Sequence, residues 1–533
     1  MTPVRATHIL RAMPAQPPAP PSPCPDQRPT LNRRQLLAGA GVGAAALLID
    51  GCAGSPQPDA ARTATPPTAD GGPVVFRNIT VVNPDLVQEG VSLAVDGGRI
   101  AAIGPTDEVM ARFPQAEIYE GRGKALLPGL INCHAHLAAT LARGFNEDFG
   151  FPNSYKLAVN PNSLASQEER TLMAVVGALE AIRTGSTTVV ENVGGTMNTA
   201  SELAKTGLRW VFAESATDRV GGSPMTPELL AASTRPEFSA EMRDSGLQRI
   251  TDLHSAWHGK EDGRITVFPA AALAENSSPE LLRAVVEFAE KHDLGYTIHL
   301  SQSRAEVAYM NKWHGMSPVA FLAKHGFLGS RLFAAHCRYV DDADIALLAK
   351  SGTIITHQAG MAANRGVAPP IPKFRAAGIT IANGTDNNTT DMFSVMRTAM
   401  LMERVLRADD PIPGMTPQPE DVLADATMGS ARAVRQDRMI GSLEVGKLAD
   451  ILVLDTLRVH IVPAVRILSA WIHNGQPSDI ESVMIGGRFV MRDRTITTVD
   501  EPAIIAEADK VARRIWTEVQ KQSPIVVPRL PRA

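Results

Sequence analysis

The chain has 533 residues and a formal net charge of −4, with 44% hydrophobic and 20% charged residues. This is ordinary globular composition with material for a large core, and without a basic run it excludes a nucleic-acid partner. The four cysteines, Cys24, Cys52, Cys133 and Cys337, are too few for a disulfide scaffold.

Residues 1–52 read as an export signal. Arg33-Arg34 precede an apolar stretch from Leu36 to Ile49, too short to span a bilayer but suited to the apolar region of a signal peptide. Paired arginines are the feature read by twin-arginine translocation, a route for proteins exported already folded. It places the protein in a bacterial periplasm. Ile49-Asp50-Gly51-Cys52 is similar to a lipoprotein cleavage site, which would make Cys52 a lipid-anchored first residue; an unmodified Cys52 with cleavage elsewhere is the other reading. Residues 53–73, rich in Pro, Ala and Thr, read as an unfolded linker.

From Val74 the pattern turns β-like, with "VVFRNITVVNP" and then "VSLAVDGGRIAAIGP" around a Gly-Gly turn. A similar signal returns in "ADILVLDT" and "ESVMIGGRFVMRDRTI". Residues 74–124 and 441–500 are therefore assigned to one small β-sandwich domain assembled from both ends. Between them, over 125–440, β runs alternate with helical stretches such as "ERTLMAVVGALEAIRTG" and "PELLRAVVEFAEKHD". The candidate strands are "ALLPGLIN", "STTVVEN", "RWVFAES", "RITVFPA", "GYTIHLS", "RLFAAHC", "GTIITHQ" and "GITIANGTD". Eight β-α units predict an α/β fold, a (β/α)8 barrel of the TIM type with its active site at the C-terminal ends of the strands. The last segment, 501–533, opens with "EPAIIAEADKVARRIWTEVQKQ", a closing amphipathic helix followed by a tail.

In an extended strand, side chains two apart share a face, so His134 and His136 project together while Cys133 and Ala135 face the other way. Two neutral imidazoles aimed at one point suit a cation. Of the thirteen histidines, His134, His136, His299, His336 and His357 fall at or near the C-terminal ends of candidate barrel strands, and Asp386 joins them at the end of the last. Imidazole fills an apolar core poorly, so this clustering points to a site. The other eight lie in the leader, helices or connections and read as surface or capping residues. Cys133 and Cys337 each adjoin a site histidine and turn away from it, toward burial between strand and helix.

With "PGLINCHAH", "IHLSQS", "FAAHC", "NGTD" and "GSLEVGKLADILVLD" in place, the chain resembles the amidohydrolase superfamily from about Val74 to about Asp493. Within it, the resemblance is to the mononuclear branch of S-adenosylhomocysteine and guanine deaminases and triazine hydrolases. The resemblance implies metal ligands at His134, His136, His299 and Asp386, a catalytic His336 beside them, and a substrate contact at His357. The fourth strand, "RITVFPA", has no lysine to bridge two metals, so one divalent ion is expected: Zn²⁺ by preference, with Fe²⁺ also admitted by this ligand set. A cation so held lowers the pKa of a bound water from 15.7 toward ~7. Asp386 can accept the water proton, and His336 can stabilise the oxygen attacking an unsaturated carbon. The implied activity is hydrolysis of C–N bonds, other than peptide bonds, in a small cyclic or N-heteroaromatic compound. A homodimer is implied by the resemblance alone.

One departure matters. Gln302, three residues after His299, stands where the branch usually carries a glutamate proton shuttle, and an amide neither gives nor takes a proton at ordinary pH. The pattern "ITHQAG" lacks the family's His-Cys-Pro, and "VFPAAAL" lacks a histidine found in some adenosine-type deaminases. Gln302 then either orients substrate by hydrogen bonds or is a neutral filler. The alternatives are removal of chloride or another substituent, amide or carbamate hydrolysis without ring protonation, and, in another class, an exported metal-binding lipoprotein without catalysis. Asn387, Asn388 and Asp391 in the loop "GTDNNTTD" are either substrate contacts or a cap for the helix that follows.

Overall fold

The computed structural model describes residues 72–523, apart from 146, 148–156, 224–226 and 388. The export signal with Cys52, nearly all of the 53–73 linker, Asn388 and the tail after Ser523 lie outside the described residues. Among those described, no helix is long and apolar enough to cross a membrane.

Both chain ends build one nine-stranded sheet. The N-terminal part supplies β1 (Val74–Val82), β2 (Val87–Asp96), β3 (Arg99–Pro105), β4 (Glu117–Glu120) and β5 (Lys124–Pro128). The barrel strands follow: β6 (Leu130–Ala135), β7 (Ser186–Val193), β8 (Arg209–Ala216), β9 (Ile265–Leu273), β10 (Tyr296–Leu300), β11 (Leu332–His336), β12 (Ile354–His357) and β13 (Ile381–Asn383). The C-terminal part adds β14 (Ile451–Asp455), β15 (Ile480–Ile485), β16 (Arg488–Arg492) and β17 (Thr495–Ile496). The small sheet runs β17-β16-β15-β14-β5-β1-β2-β3, with β4 also on β1. In a flat sheet β1 and β16, four strands apart, would be separated by roughly 19 Å. The Phe76 and Phe489 rings instead lie 6.2 Å apart, and Tyr119 touches both. The sheet therefore folds onto itself around an apolar interior, which is the expected sandwich.

The first barrel strand differs from the sequence reading. "ALLPGLIN" is two strands: β5 pairs with β14 of the small sheet, Leu126 opposite Val453 and Leu127 opposite Leu452, and only β6 enters the barrel. The barrel boundary accordingly moves from 125 to 130. Pro128 has no N–H to extend a ladder, and at Gly129 a Cβ would lie 2.0 Å from Thr187 Oγ1. Along β5 and β14, Leu126, Ile451 and Val453 face the sandwich interior, while Leu127, Leu452 and Leu454 face the barrel layer. Buried on both sides, the strand reads as one apolar run, just as a parallel barrel strand does.

The eight strands β6 to β13 are parallel and ordered as in the chain. Ala135 pairs with Asp386, and the Thr385 and Asp386 N–H groups donate to the His134 carbonyl at 3.0 and 2.9 Å, closing the ring at its C-terminal rim. The glycine of "NGTD" permits this closure: a Cβ on Gly384 would meet His134 N at 2.8 Å. Helix Gln167–Arg183 starts on a Ser166–Glu169 capping box, helix Pro279–Lys291 on Ser278, and the expected closing helix spans Glu501–Gln522 with Asp500 as its cap. Arg209 of β8 makes a two-pronged, fully buried pair with Asp450 at 2.9 and 3.0 Å, tying barrel to sandwich.

Candidate metal centre

Four strand ends converge. His134 and His136 come from the end of β6, His299 from β10, His336 from β11, and Asp386 from just past β13. Nε2 of His136 lies 3.2 Å from Nε2 of His299 and 3.5 Å from Asp386 Oδ1, while Nε2 of His134 lies 3.9 Å from the same oxygen. The ligand atoms of His134, His136 and Asp386 sit within 4.8 Å of one another, as do those of His134, His299 and His336. His336 is at φ +78° and Asp386 at φ +70°. Left-handed backbone at such residues costs on the order of 1–3 kcal/mol each and persists where surrounding structure enforces it.

Hydrogen bonding decides which nitrogens offer lone pairs. His299 Nδ1 is 2.8 Å from the Ala272 carbonyl, and the backbone of Asn192 takes the corresponding bond from His136. A carbonyl only accepts, so in both rings the proton sits on Nδ1 and the Nε2 lone pairs face each other. Burial holds both imidazoles down to about 4, too low for a shared proton at neutral pH. Nε2 of His134 is buried without a hydrogen-bond partner. Its Nδ1 is 3.4 Å from Asn192 Nδ2, and Asn192 Oδ1 accepts from the Ser215 hydroxyl at 2.8 Å; with this amide turned over, Nδ1–H donates to Oδ1, Nδ2 donates to the hydroxyl, and the Nε2 lone pair is left to a ligand role. Opposed lone pairs, an orphaned nitrogen and a carboxylate are the donor set of a divalent cation. These residues fit a metal.

His336 is different. Arg338 Nη2 stands 3.3 Å from its Nδ1, and a guanidinium only donates. Nδ1 is therefore the acceptor and Nε2 carries the proton, 3.9 Å from Asp386 Oδ2. His336 is a hydrogen-bond donor toward the centre rather than a ligand.

Beside the centre opens a cavity of ≈ 610 Å³, including its solvent-filled mouth. His136, His299, Asp386 and Gln302 line it together with Arg338 and Arg365, and Leu273, Met361 and Asn387 complete the wall. The Gln302 and Ser301 N–H groups each donate to Glu306 at 2.7 Å, so this buried carboxyl, itself pushed well up by burial, holds the loop that aims Gln302. Glu191, pushed up to about 8 by burial, accepts the Leu137 N–H directly after His136.

Two expected substrate contacts are not part of this wall. His357 is buried at the end of β12 and accepts the Gly384 N–H through its carbonyl. Asp391 caps helix Met392–Leu406, taking Ser394 N at 3.0 Å and Ser394 Oγ at 2.5 Å; its oxygens are used by the helix. Asn387 does line the cavity, whereas Asn388 lies outside the described residues. Cys133 and Cys337 are buried free thiols, Cys133 donating to the Ser430 carbonyl on the side away from the centre. Sequence reading missed Arg338, Arg365, Glu191 and Glu306. For Arg338 a signal existed, since it lies two residues after His336.

Residues 125–490 match the amidohydrolase family, and residues 93–116 match an imidazolonepropionase-like composite domain of bacteria. The chain is 31% identical over 434 residues to a 5-methylthioadenosine/S-adenosylhomocysteine deaminase of Desulforudis audaxviator, covering 80% of this chain and 95% of that one. It is 30% identical to a 5'-deoxyadenosine deaminase of Methanothermobacter thermautotrophicus, covering 82% and 99%. Among solved structures it is similar to an adenosine deaminase from Xanthomonas campestris with bound zinc (25% identity, TM-score 0.73, 85% of this chain and 100% of that one). The fold also matches that of an atrazine chlorohydrolase from Arthrobacter aurescens complexed with zinc (22% identity, TM-score 0.72, 82% and 100%).

Proposed function

The chain belongs to the amidohydrolase family, hydrolases of C–N bonds other than peptide bonds, and we propose that its substrate is a cyclic or N-heteroaromatic compound from which it releases ammonia or an amine. The carrying observation is the 3.2 Å approach of two Nε2 lone pairs beside Asp386. One zinc ion would be held by His134, His136, His299 and Asp386, and when bound would acidify a water and polarise the substrate. Zinc is preferred because the adenosine deaminase of similar fold carries it.

The chain's own groups then divide the work. Asp386 accepts the proton of the attacking water. His336, its proton held on Nε2 by Arg338, donates a hydrogen bond to the oxygen as negative charge develops there. The Gln302 carboxamide orients the ring in the cavity. The deaminase names of the relatives at 30–31% identity support amine loss from a purine-like ring.

Gln302 favours a second reading. A carboxamide cannot protonate a ring nitrogen, which in this family's chemistry makes the amine-bearing carbon electrophilic. Hydrolysis of a ring amide or carbamate, or displacement of a substituent such as chloride, needs no such protonation. The deciding experiment is a screen of zinc-loaded protein against purines, pterins, triazines, cyclic amides and carbamates. Ammonia release supports the first reading, ring opening or chloride release the second. Stoichiometric zinc with no turnover on any compound leaves only a metal-binding protein.

Export through the Arg33-Arg34 signal, with Cys52 as a lipid anchor, belongs to the same proposal. It rests on the sequence motifs of residues 1–52, as assembly into a homodimer rests on family resemblance.

A further inference from the structure

The cavity beside the centre carries more basic than acidic side chains on its wall. Of the charged side chains on its wall, Asp386 is the one acid, and two are guanidinium groups, Arg338 and Arg365. Arg338 is 8% exposed, and its Nη2 donates to a neutral atom, Nδ1 of His336, while the carboxylate whose charge acts on it is Asp386 of the same wall. Gln302, on the same wall, carries an amide rather than a second acid. With a divalent cation in place, two arginines and one aspartate leave the cavity with a net charge of about +3. Arg365 has Glu147 among its surroundings as well as Asp386 and Arg338, and Glu147 offsets part of that charge.

A guanidinium is expensive to bury without an anion. Its planar fork matches the two oxygens of a carboxylate or two oxygens of a phosphate. We propose that the substrate carries an oxyanion group, carboxylate or phosphate, and that Arg338, with Arg365 on the same wall, receives it beside the reacting carbon. This rests on the amidohydrolase reading above and narrows its substrate class. It also accounts for Gln302: a glutamate there would set a negative charge inside the cavity that must accept an anion. Arg338 has two duties, donating one N–H to His336 and presenting its others to substrate.

The first measurement needs no turnover. Orthophosphate is titrated calorimetrically into the full chain, zinc-loaded and chelator-treated, for the native protein, Arg338→Gln and Gln302→Glu. Both substitutions are expected to weaken binding tenfold or more in both metal states. Gln302→Glu leaves Arg338 intact, so a folding defect of Arg338→Gln does not decide the matter. If the native protein does not bind, or if binding disappears with zinc and ignores both substitutions, the proposal is overturned. The second measurement pairs neutral and anionic compounds: uracil with orotate, and adenosine with adenosine 5'-monophosphate. A KM lower by tenfold or more for one anionic member, lost in Arg338→Gln, supports the proposal and tells carboxylate from phosphate. Turnover of neutral members alone, indifferent to Arg338→Gln, overturns it while the amidohydrolase reading stands. Absence of turnover on every C–N substrate class screened fails that reading instead, with the orthophosphate result still deciding whether the cavity is an anion site.

Discussion

His136 and His299 present their Nε2 atoms to each other across 3.2 Å, each ring having committed its other nitrogen to a main-chain carbonyl. Two neutral acceptors at that separation repel unless a cation lies between them, so the folded barrel stores a preference for metal. Elemental analysis of purified protein is expected to give one divalent ion per chain. His299→Ala should lower metal affinity by more than ~100-fold, beyond the 10–100-fold typical of residues that merely orient a ligand. At a metal concentration about a thousand times Kd, binding stabilises the fold by roughly 4 kcal/mol, so chelation should lower the unfolding midpoint measurably. Metal-free protein with full turnover and an unchanged midpoint would remove the centre from the mechanism.

Acid should empty the same centre. Burial depresses His136 and His299 from 6.5 to about 4. Between those values the unfolded chain binds protons that the folded chain refuses, so the stability due to these neutral rings is complete above pH 6.5 and falls as pH drops toward 4. Each group contributes a slope of at most ~1.4 kcal/mol per pH unit. A bound cation acts in the same direction, because protons compete with it for Nε2. Metal content and urea midpoint followed from pH 7 to pH 4 should decline together; a flat metal content across that window contradicts neutral histidine ligands.

The fold and the convergence of histidines with Asp386 were legible from strand patterning, whereas their part as a ligand set came from the family resemblance. Alternation along "NCHAH" puts His134 and His136 on one face, and Gly384 in "NGTD" is needed wherever the last strand must pass the first. Strand β5 was misassigned because a strand buried on two faces in a sandwich and a parallel strand in a barrel share one hydrophobic signature, and only its pairing with β14 tells them apart. Arg338 stands to His336 in the same two-residue spacing that singled out the first histidine pair, yet an arginine carries no metal-ligand signature and was passed over. Arg365 follows the short helix Ala359–Asn364, where no periodicity predicts direction. Ser303 and Glu306 read as a helix start, and the Ser303 side chain does accept the Glu306 N–H. That the Glu306 carboxylate also clamps the backbone of Ser301 and Gln302 depends on the turn after β10, which the spacing does not show.

Barrel and sandwich are joined through a charged pair with no exposure to spare: Arg209 and Asp450 are each 3% exposed in their side chains. Asp450 also accepts the Gly486 N–H at 2.8 Å. Arg209→Ala leaves that carboxylate buried with one backbone donor, and removing one partner of a buried pair costs ~3–5 kcal/mol. Chemical unfolding should show a loss of that order. The double variant Arg209→Met with Asp450→Leu should recover much of it, since the desolvation penalty disappears with both charges. A single variant as stable as the native protein would mean that water reaches the pair.

The proposed export through Arg33-Arg34 makes a cellular prediction independent of the site. Replacing both arginines by lysine keeps charge and apolar length but removes the paired guanidinium groups. Fractionation should then find the variant retained in the cytoplasm with its leader attached, and the native chain in the exported fraction. Undiminished export of the double variant would assign residues 1–52 to a different route.

Gln302 separates a positioning role from a bystander's. Its loop is held by two 2.7 Å bonds from main-chain N–H groups to Glu306, and a side chain aimed this firmly into a cavity beside a metal centre is placed to meet substrate. Gln302→Ala removes two donors and an acceptor without touching any ligand. Zinc content should therefore stay at its native value while KM for the true substrate rises about tenfold, the ~1.4 kcal/mol expected of one or two neutral hydrogen bonds. Because an amide does not titrate, the pH–rate profiles of native and variant protein should have the same shape. Equal KM and kcat in both proteins would make the residue a filler; loss of an acidic limb in the variant would mean that a titrating group elsewhere reaches the substrate through it.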